Sequence, residues 1–412
     1  MALTLHVGLN ARRSNAESWG DLAFGRSLCA AFETLGHPTT LFYRDEMPDL
    51  SGQGDVVLRI VGPHLDDPVP GVPNLLWVIS PPNQASLACL SRYQGLFVAS
   101  APLAGRCLAL GLTASYLPQA TDTAVFTPQA RGDWPVDLQI SFVGNHAPRA
   151  PRANVLRAIA LGYDVRIWGQ GWDGVVPPRH LCGPRLEIAQ TAQIYARSRV
   201  VLNSHMPYMA ELGFMSNRSF DAMACGAQVV SDPVQGFSDP GLGALHQTDG
   251  DRGLAQTLAQ ALSGEESCHH RKARAAAMVD RYSFAARAAT LVAKAQVLLG
   301  QGVRAPAAFA LLPARPQTGD LIALRVSDSP EPGDDAAMAL AERLDAQMAG
   351  ARLDVTLMLS DPTSTPEGLS VEQAMQRAAV AVWRIGVVMA RAASFARLTV
   401  VPPTALACRG PI

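Results

Sequence analysis

The sequence predicts an α/β protein: two Rossmann-like, doubly wound units in tandem, roughly 1–128 and 137–300, then a small α/β extension, 301–412. Three observations predict it. Short apolar runs alternate with helical patterns through the first unit. A break rich in Pro, Gly and mixed charge follows at Thr127–Val136. The alternation then restarts at Leu138.

In the first unit, Leu3–Leu9 reads as a strand, followed by a polar loop, Asn10–Gly20. Phe24, Leu28, Ala31, Phe32 and Leu35 then share one face of a helix that Gly36 stops. Thr39–Tyr43, Asp55–Val61, Leu75–Ser80 and Leu96–Ser100 read as strands, Ala101–Leu110 as a helix and Ala114–Leu117 as a strand. Strands interleaved with helices predict a parallel sheet with its ligand crevice at the strands' C-terminal ends. In the second unit, Leu138–Val143, Asp164–Trp168, Val200–Asn203 and Gln228–Ser231 read as strands. Pro151–Leu161, Ser219–Cys225, Gly253–Leu262 and Phe284–Leu299 read as helices.

The extension differs. Val303–Pro316 reads as an Ala/Pro-rich linker, and strands Leu321–Val326 and Leu353–Leu359 flank an Ala-rich helix, Asp335–Met348. A second helix spans residues 371–395, where Arg377, Arg384 and Arg391 recur beside an apolar face containing Trp383. The pattern suits a helix docked on its own domain. It also suits a membrane-surface helix, because a basic stripe beside an apolar face fits anionic headgroups.

Composition bounds the function. A chain of 412 residues is too long for one ordinary core, and 48% hydrophobic with 17% charged residues suits buried cores. Lys+Arg 34 against Asp+Glu 35 argues against nucleic acid as a partner, which needs a basic face. The seven Cys are scattered without a C-x-x-C pair, so neither a disulfide framework nor a zinc site is expected. The N-terminus lacks a signal-peptide pattern, and no run of about 18 uncharged apolar residues occurs. The expected location is the cytoplasm, with contact at the inner membrane face through residues 371–395.

Several stretches carry chemistry. Pro118-Gln119-Ala120-Thr121-Asp122, with Phe126 and Pro128, closes the first unit. Phe142-Val143-Gly144-Asn145 precedes Arg149 and Arg152. Gly144 at a strand end lets backbone approach a ligand, and an Arg beyond it can grip a phosphate bidentately. Arg149 is the favoured one. Both Arg oppose the dipole of the helix they start, which makes a bound anion more attractive. Gly169 and Gly171, beyond the next strand, form a loop able to bracket a nucleotide. In the run Ser216–Val230, a polar cap, a helix, a Gly stop and an apolar strand follow in turn. Ser216 caps the helix; free N–H groups there, with Asn217 and Arg218, form a diphosphate site. Asp221, one turn further, needs a partner on its apolar helix, and ribose hydroxyls supply one. His205 is the His nearest this site, as a sugar or phosphate contact or as a structural group. The loop Asn10, Arg12, Arg13, Ser14 and Asn15, then Trp19-Gly20-Asp21, and Ser80-Pro81-Pro82-Asn83-Gln84 should also face the crevice. No spacing suggests a bound metal.

The Asp122-x-x-x-Phe126-x-Pro128 spacing and the run Asp221-Ala-Met-Ala-Cys-Gly-x-x-Val-Val resemble group 1 glycosyltransferases. The arrangement Asn217-Arg218-x-Phe220-Asp221 is closer to the spore-maturation-protein-type branch. The resemblance covers roughly residues 1–300. It implies the GT-B fold: an acceptor-side domain, 1–128, faces a nucleotide-sugar-binding domain, 137–300, across a cleft. It implies transfer of a hexose from a nucleotide-sugar donor to a glycan, lipid-linked or small-molecule acceptor. No cofactor beyond the donor and no metal is implied; Arg149, Arg218 and the helix start at Ser216 would stabilise the departing diphosphate. Two positions depart from the family. The Asn-Gly expected before Asp122 is missing, and the Glu that many retaining members carry eight residues before Asp221 is Gly213. Glu211 stands two residues away and substitutes only if the loop Met206–Ser216 is re-registered. Glu211 and His205 are therefore the candidate catalytic residues. A nucleotide-sugar epimerase of the same fold and a non-catalytic nucleotide-sugar-binding protein are the alternatives.

Overall fold

A computed structural model describes residues 2–300, apart from 51, 53, 83–89, 91, 110, 111, 113, 149, 150, 264 and 265. It also describes 324–326, 353–359 and 395–401.

The first unit is a parallel sheet of β1 (Thr4–Gly8), β2 (Thr39–Phe42), β3 (Asp55–Val61), β4 (Asn74–Val78), β5 (Gly95–Val98) and β6 (Ala114–Tyr116), in the order β2-β1-β3-β4-β5-β6. Helices α1 (Asp21–Thr34) and α2 (Ala101–Ala109) belong to it. Every residue of β3 and β4 is buried, as expected of central strands covered on both faces.

The second unit contains β7 (Leu138–Val143), β8 (Val165–Trp168), β9 (Leu181–Gly183), β10 (Ser198–Asn203), β11 (Gln228–Ser231) and β12 (Leu245–Gln247). Its order is β12-β11-β10-β7-β8-β9, again parallel. The direction of winding reverses between β7 and β10, and a doubly wound sheet opens a crevice at such a point. Its helices are α3 (Ala153–Ala160), α4 (Ile188–Arg197), α5 (Pro207–Glu211), α6 (Asn217–Ala224), α7 (Gly250–Leu262) and α8 (Cys268–Tyr282).

One helix expected in the second unit belongs elsewhere. α9 (Phe284–Gly300) buries Phe284, Ala288, Leu291, Val292 and Ala295 in the core of the first unit. Phe284 meets Phe24 of α1 edge to face at 4.7 Å. An apolar stripe shows that a helix packs, but not on which core. The chain therefore crosses between units twice, and the two crossings are tied together. Thr121 N–H donates to the Tyr282 carbonyl (2.9 Å), and Phe284 N–H donates to the Thr121 carbonyl (3.2 Å). Arg287, buried there, donates to the carbonyls of Pro118 (2.8 Å), Gln119 (3.1 Å) and Arg281 (2.7 Å).

α4 and α8 were not visible in the sequence pattern. The inward face of α8 is Arg271, Ala275, Met278 and Tyr282. Arg271 hides the periodicity, because its buried guanidinium binds the Ser198, Ala196 and Cys225 carbonyls.

In the extension, β13 (Leu324–Val326), β14 (Leu353–Leu359) and β15 (Phe395–Val401) form a parallel sheet in that order. β15 was not expected. The linker Val303–Pro316 and the helices expected at Asp335–Met348 and 371–395 lie outside the described residues. Among the described residues no helix is long and apolar enough to cross a membrane.

Candidate functional site

The C-terminal ends of β7 and β10 meet the start of α6 where the winding reverses. Arg218, the second residue of α6, reaches back over the Phe142 ring, 4.8 Å from its centroid. Its Nε donates to the Val143 carbonyl (3.0 Å) and its Nη1 to Asn203 Oδ1 (2.7 Å). Gly144 makes room: a Cβ there would lie 2.7 Å from Arg218 Nη2. Arg152, just before α3, points to the same place and donates to the carbonyls of Asn145 (3.0 Å) and Ser204 (2.9 Å). Burial, then the nearby charge of Arg218, pulls Arg152 down to about 10. Among the described residues neither guanidinium has a carboxylate within ion-pair distance. Both donate to neutral oxygens, while Asp232 acts on Arg152 and Asp221 on Arg218 only from beyond hydrogen-bond distance. The first amides of α6 add a partial positive charge beside them. Such a place attracts an anion.

The glycine loops stand as a pair. Gly169 has φ 149°, and a Cβ on it would lie 2.2 Å from the Gly144 carbonyl oxygen. Gly171 has φ 79°, and its Cβ would lie 2.5 Å from the His146 carbonyl oxygen. Both glycines bring the loop after β8 against the loop after β7. His146 N–H donates to the Gln170 carbonyl (2.9 Å), and Trp172 Nε1 donates to the Gly144 carbonyl (2.9 Å). Their observed partners are thus each other's backbone.

Ser216 precedes α6 in an extended conformation, but its hydroxyl does not cap the helix. It donates to Asn203 Oδ1 (2.8 Å), which lies on the neighbouring strand end. Asn217 Nδ2 donates to Asp221 Oδ2 (3.0 Å), while Asn217 Oδ1 is buried without a partner. Asp221 is buried, and its other oxygen accepts the Thr121 hydroxyl (2.7 Å) from the crossing between units. Burial pushes Asp221 up to about 7, against those two hydrogen bonds and the charge of Arg218. The carboxylate expected to wait for a ribose is already engaged.

His205 is also engaged on both ring nitrogens. Nδ1 lies 2.5 Å from Asp232 Oδ1, and Nε2 faces the Ser216 backbone N–H (3.0 Å) and Asn203 Nδ2 (3.2 Å). Burial raises the Asp232 carboxyl, but hydrogen bonds from His205 outweigh it, so Asp232 sits below the usual carboxylate range. Asp232 is thus ionised, Nδ1 carries the proton, and Nε2 is the acceptor. In this arrangement both ring nitrogens of His205 are committed to protein groups.

Glu211 ends α5 and is exposed. Gly213 has φ 78°, and a Cβ there would lie 2.9 Å from the Gln235 carbonyl, Pro102 and Ser100 Oγ, so the two units touch here. Ser100 Oγ also donates to the Leu212 carbonyl (2.6 Å). Arg185 adds a second contact through the Glu17 carbonyl (3.1 Å). These contacts bring the C-terminal edges of the two sheets together.

On the first unit's edge, Asn10 accepts from His64 N–H (3.0 Å) and donates to the His64 carbonyl (2.5 Å). Asp21 Oδ2 accepts the amides of Asn10 and Ala11 (both 2.8 Å). Trp19 stacks on His64 at 6.1 Å. Arg13 pairs with Glu46 at the surface, away from any anion role. Arg149, Asn83 and Gln84 lie outside the described residues. Sequence reasoning passed over Asn203 and Asp232 and ranked Arg152 second. Their signal was position: Asn203 ends β10, which flanks the reversal point, and Asp232 follows the end of its neighbour β11.

Residues 149–293 match a family model described as "Glycosyl transferase-like". Among solved structures, AviGT4, a glycosyltransferase involved in avilamycin A biosynthesis, is similar with a TM-score of 0.53 and 16% identity, over 73% of this chain and 99% of that one. The catalytic domain of starch synthase IV from Arabidopsis thaliana, bound to ADP and acarbose, gives 0.49 and 10% over 73% and 100%. An α,α-trehalose 6-phosphate synthase from Burkholderia multivorans gives 0.48 and 11% over 73% and 98%. No curated protein matches the sequence. With the two facing parallel sheets, the first of these structures shows a GT-B fold. Arg152 and Asn203–Asp232 all fall inside the glycosyl transferase-like segment. Among the described residues no group of three His, Cys, Asp or Glu is placed to hold a metal.

Proposed function

We propose that this chain is a cytoplasmic group 1 glycosyltransferase, nearest in its Asn217–Asp221 pattern to the spore-maturation-type branch. It moves a hexose from a nucleoside diphosphate sugar to a glycan, lipid-linked or small-molecule acceptor, without a metal. One observation carries the reading. Arg152 and Arg218 converge with the start of α6 at the reversal point of the second sheet, each hydrogen-bonded to neutral oxygens. A nucleoside diphosphate sugar brings the anion this place lacks. Cleavage at the anomeric carbon leaves growing negative charge on the diphosphate. Donors fixed in advance stabilise that charge most where water is excluded. The contacts Ser100–Leu212 and Arg185–Glu17 hold the first unit over the site, which would also keep water from the reacting sugar.

The engaged His205 and the exposed Glu211 favour a second reading, a protein that binds a nucleotide sugar without turning it over. They give no support to an epimerase, which needs free acid and base groups at the sugar. Incubation with UDP-, GDP- and TDP-sugars and an acceptor panel, with chelator present, separates the three. A glycoside plus free nucleoside diphosphate supports transfer. An epimerised donor or an unchanged bound donor overturns it. Melting with the free nucleoside diphosphates is the first step, since ligand at about 100 times its Kd adds about 2.7 kcal/mol. A base-selective shift names the donor, and no shift with any of them sinks the donor site.

A further inference from the structure

The commitments of His205 restrict which amides of α6 an anion can use. The Ser216 N–H would be the outermost free donor of this helix start, and His205 Nε2 takes it at 3.0 Å. The ring cannot turn away. Asp232 holds Nδ1 from one side, and a second Asp232 oxygen accepts the His205 backbone N–H at 2.8 Å. Asn203, two residues upstream, fastens the same corner. Its Oδ1 accepts both Ser216 Oγ and Arg218 Nη1, and its Nδ2 donates to Ser231 Oγ at 3.0 Å. His205 and Asn203 are buried, so these bonds compete little with water.

We propose that His205 and Asp232 are positioning residues that lock the entry to α6, so that an anion is received by the Asn217 and Arg218 amides and the two guanidiniums while the Ser216 amide stays withheld. This rests on the donor reading only for the identity of the anion. The lock fixes where α6 starts relative to β10 and β11, and hence where the Arg218 side chain leaves the helix. Without it, Ser216 N–H is a free donor and the helix start can slide against the strand ends. A donor that moves before it binds loses the advantage of being aimed in advance.

Amide-resolved hydrogen exchange on the wild-type protein, with and without inorganic pyrophosphate, tests the lock without a variant. The Ser216 amide should be protected already and unchanged by pyrophosphate, whereas the Asn217 and Arg218 amides should slow on its addition. Two substitutions add a second readout. His205→Gln keeps an acceptor where Nε2 stood and gives up the Asp232 bond; His205→Asn keeps the donor to Asp232 and gives up the acceptor. Pyrophosphate affinity should fall by about ten-fold in His205→Asn, which frees the Ser216 amide, and by only about three-fold in His205→Gln, which keeps the Ser216 acceptor but is no longer held by Asp232. A purely structural role would weaken both alike. Fast exchange at Ser216 in the free protein, added protection there on binding, or equal behaviour of the two variants overturns the proposal. Wild type that binds UDP with Ser216 unprotected overturns the lock and leaves the donor reading intact. Wild type that binds pyrophosphate as described but no nucleoside diphosphate does the reverse, and binding of neither overturns both.

Discussion

The two sheets share six parallel strands each, yet their C-terminal edges are built from different materials. In the first unit, side chains close the edge on themselves. Asn10 bridges the His64 backbone, and one oxygen of Asp21 accepts the Asn10 and Ala11 amides. In the second unit, glycines bring backbone against backbone, and the side chains left at the edge are cations bonded to neutral oxygens. The difference lies in where charge is left over. An edge whose polar groups mostly bond one another suits a hydroxylated, uncharged ligand, and an edge presenting two guanidiniums suits a phosphate. Under the proposed glycosyl transfer, one scaffold would divide a charged donor from a sugar-like acceptor by what the loops do with their polar groups.

Glycine substitutions should break that contrast most forcefully. Gly169→Ala places a Cβ 2.2 Å from a backbone oxygen at φ 149°, a position no side chain can relax. We expect a loss of about 3–5 kcal/mol in urea unfolding. Gly62→Ala on the first edge puts its Cβ 3.5 Å from Asn10 Oδ1, an ordinary contact, and should cost under about 1 kcal/mol. Equal losses at the two positions would mean that the edges are not built differently.

A pair of side-chain deletions sharpens the same contrast on ligand binding. Arg218→Ala should weaken UDP or another responding nucleoside diphosphate by about a hundred-fold, close to 2.7 kcal/mol, in calorimetric titration. Unliganded stability should change little, because the lost bonds are offset by relief of the repulsion with Arg152. Asn10→Ala should leave nucleotide affinity within about two-fold, though it opens the first edge. Equal weakening by both would place the nucleotide across the two edges instead of on the second.

These contrasts were legible in the sequence to different depths. Apolar runs placed most strands, and the Gly144, Gly169 and Ser216–Arg218 positions pointed to the corner of the second sheet where Arg152 and Arg218 converge. Chemistry at that corner was read less well, because it depends on which strand ends become neighbours. Asn203 meets Ser231 across 28 residues of sequence and His205 meets Asp232 across 27, only because their strand ends are neighbours in the sheet. A lone His beside an expected phosphate reads as a ligand until the carboxylate behind it is seen. Gly213 reads as a lost Glu until Pro102 and Ser100 of the other unit are seen against it. α9 was read as a helix correctly, but its companion core lies about half the chain away.

The two buried carboxylates extend the comparison to pH. Burial raises both Asp21 and Asp221, but backbone amides hold Asp21, whereas Asp221 is held by the side chains of Thr121 and Asn217. Asp221 titrates at about 7 when folded, against about 3.9 in an unfolded chain. The folded state binds this proton more tightly. Its contribution to stability is therefore complete below about pH 4 and is lost as pH rises through about 7. Asp221→Asn should remove that dependence. The Thr121 hydroxyl still finds an amide oxygen, and the new N–H₂ group can use the unpartnered Asn217 Oδ1 once that amide turns over. Melting curves should show the variant about 2 kcal/mol more stable than wild type at pH 8, with no gain at pH 4. A variant less stable at both pH values would mean that the carboxylate stays ionised against Thr121. The crossing between the units would then be held by a buried charge, and the second edge would carry less surplus positive charge than its two guanidiniums suggest.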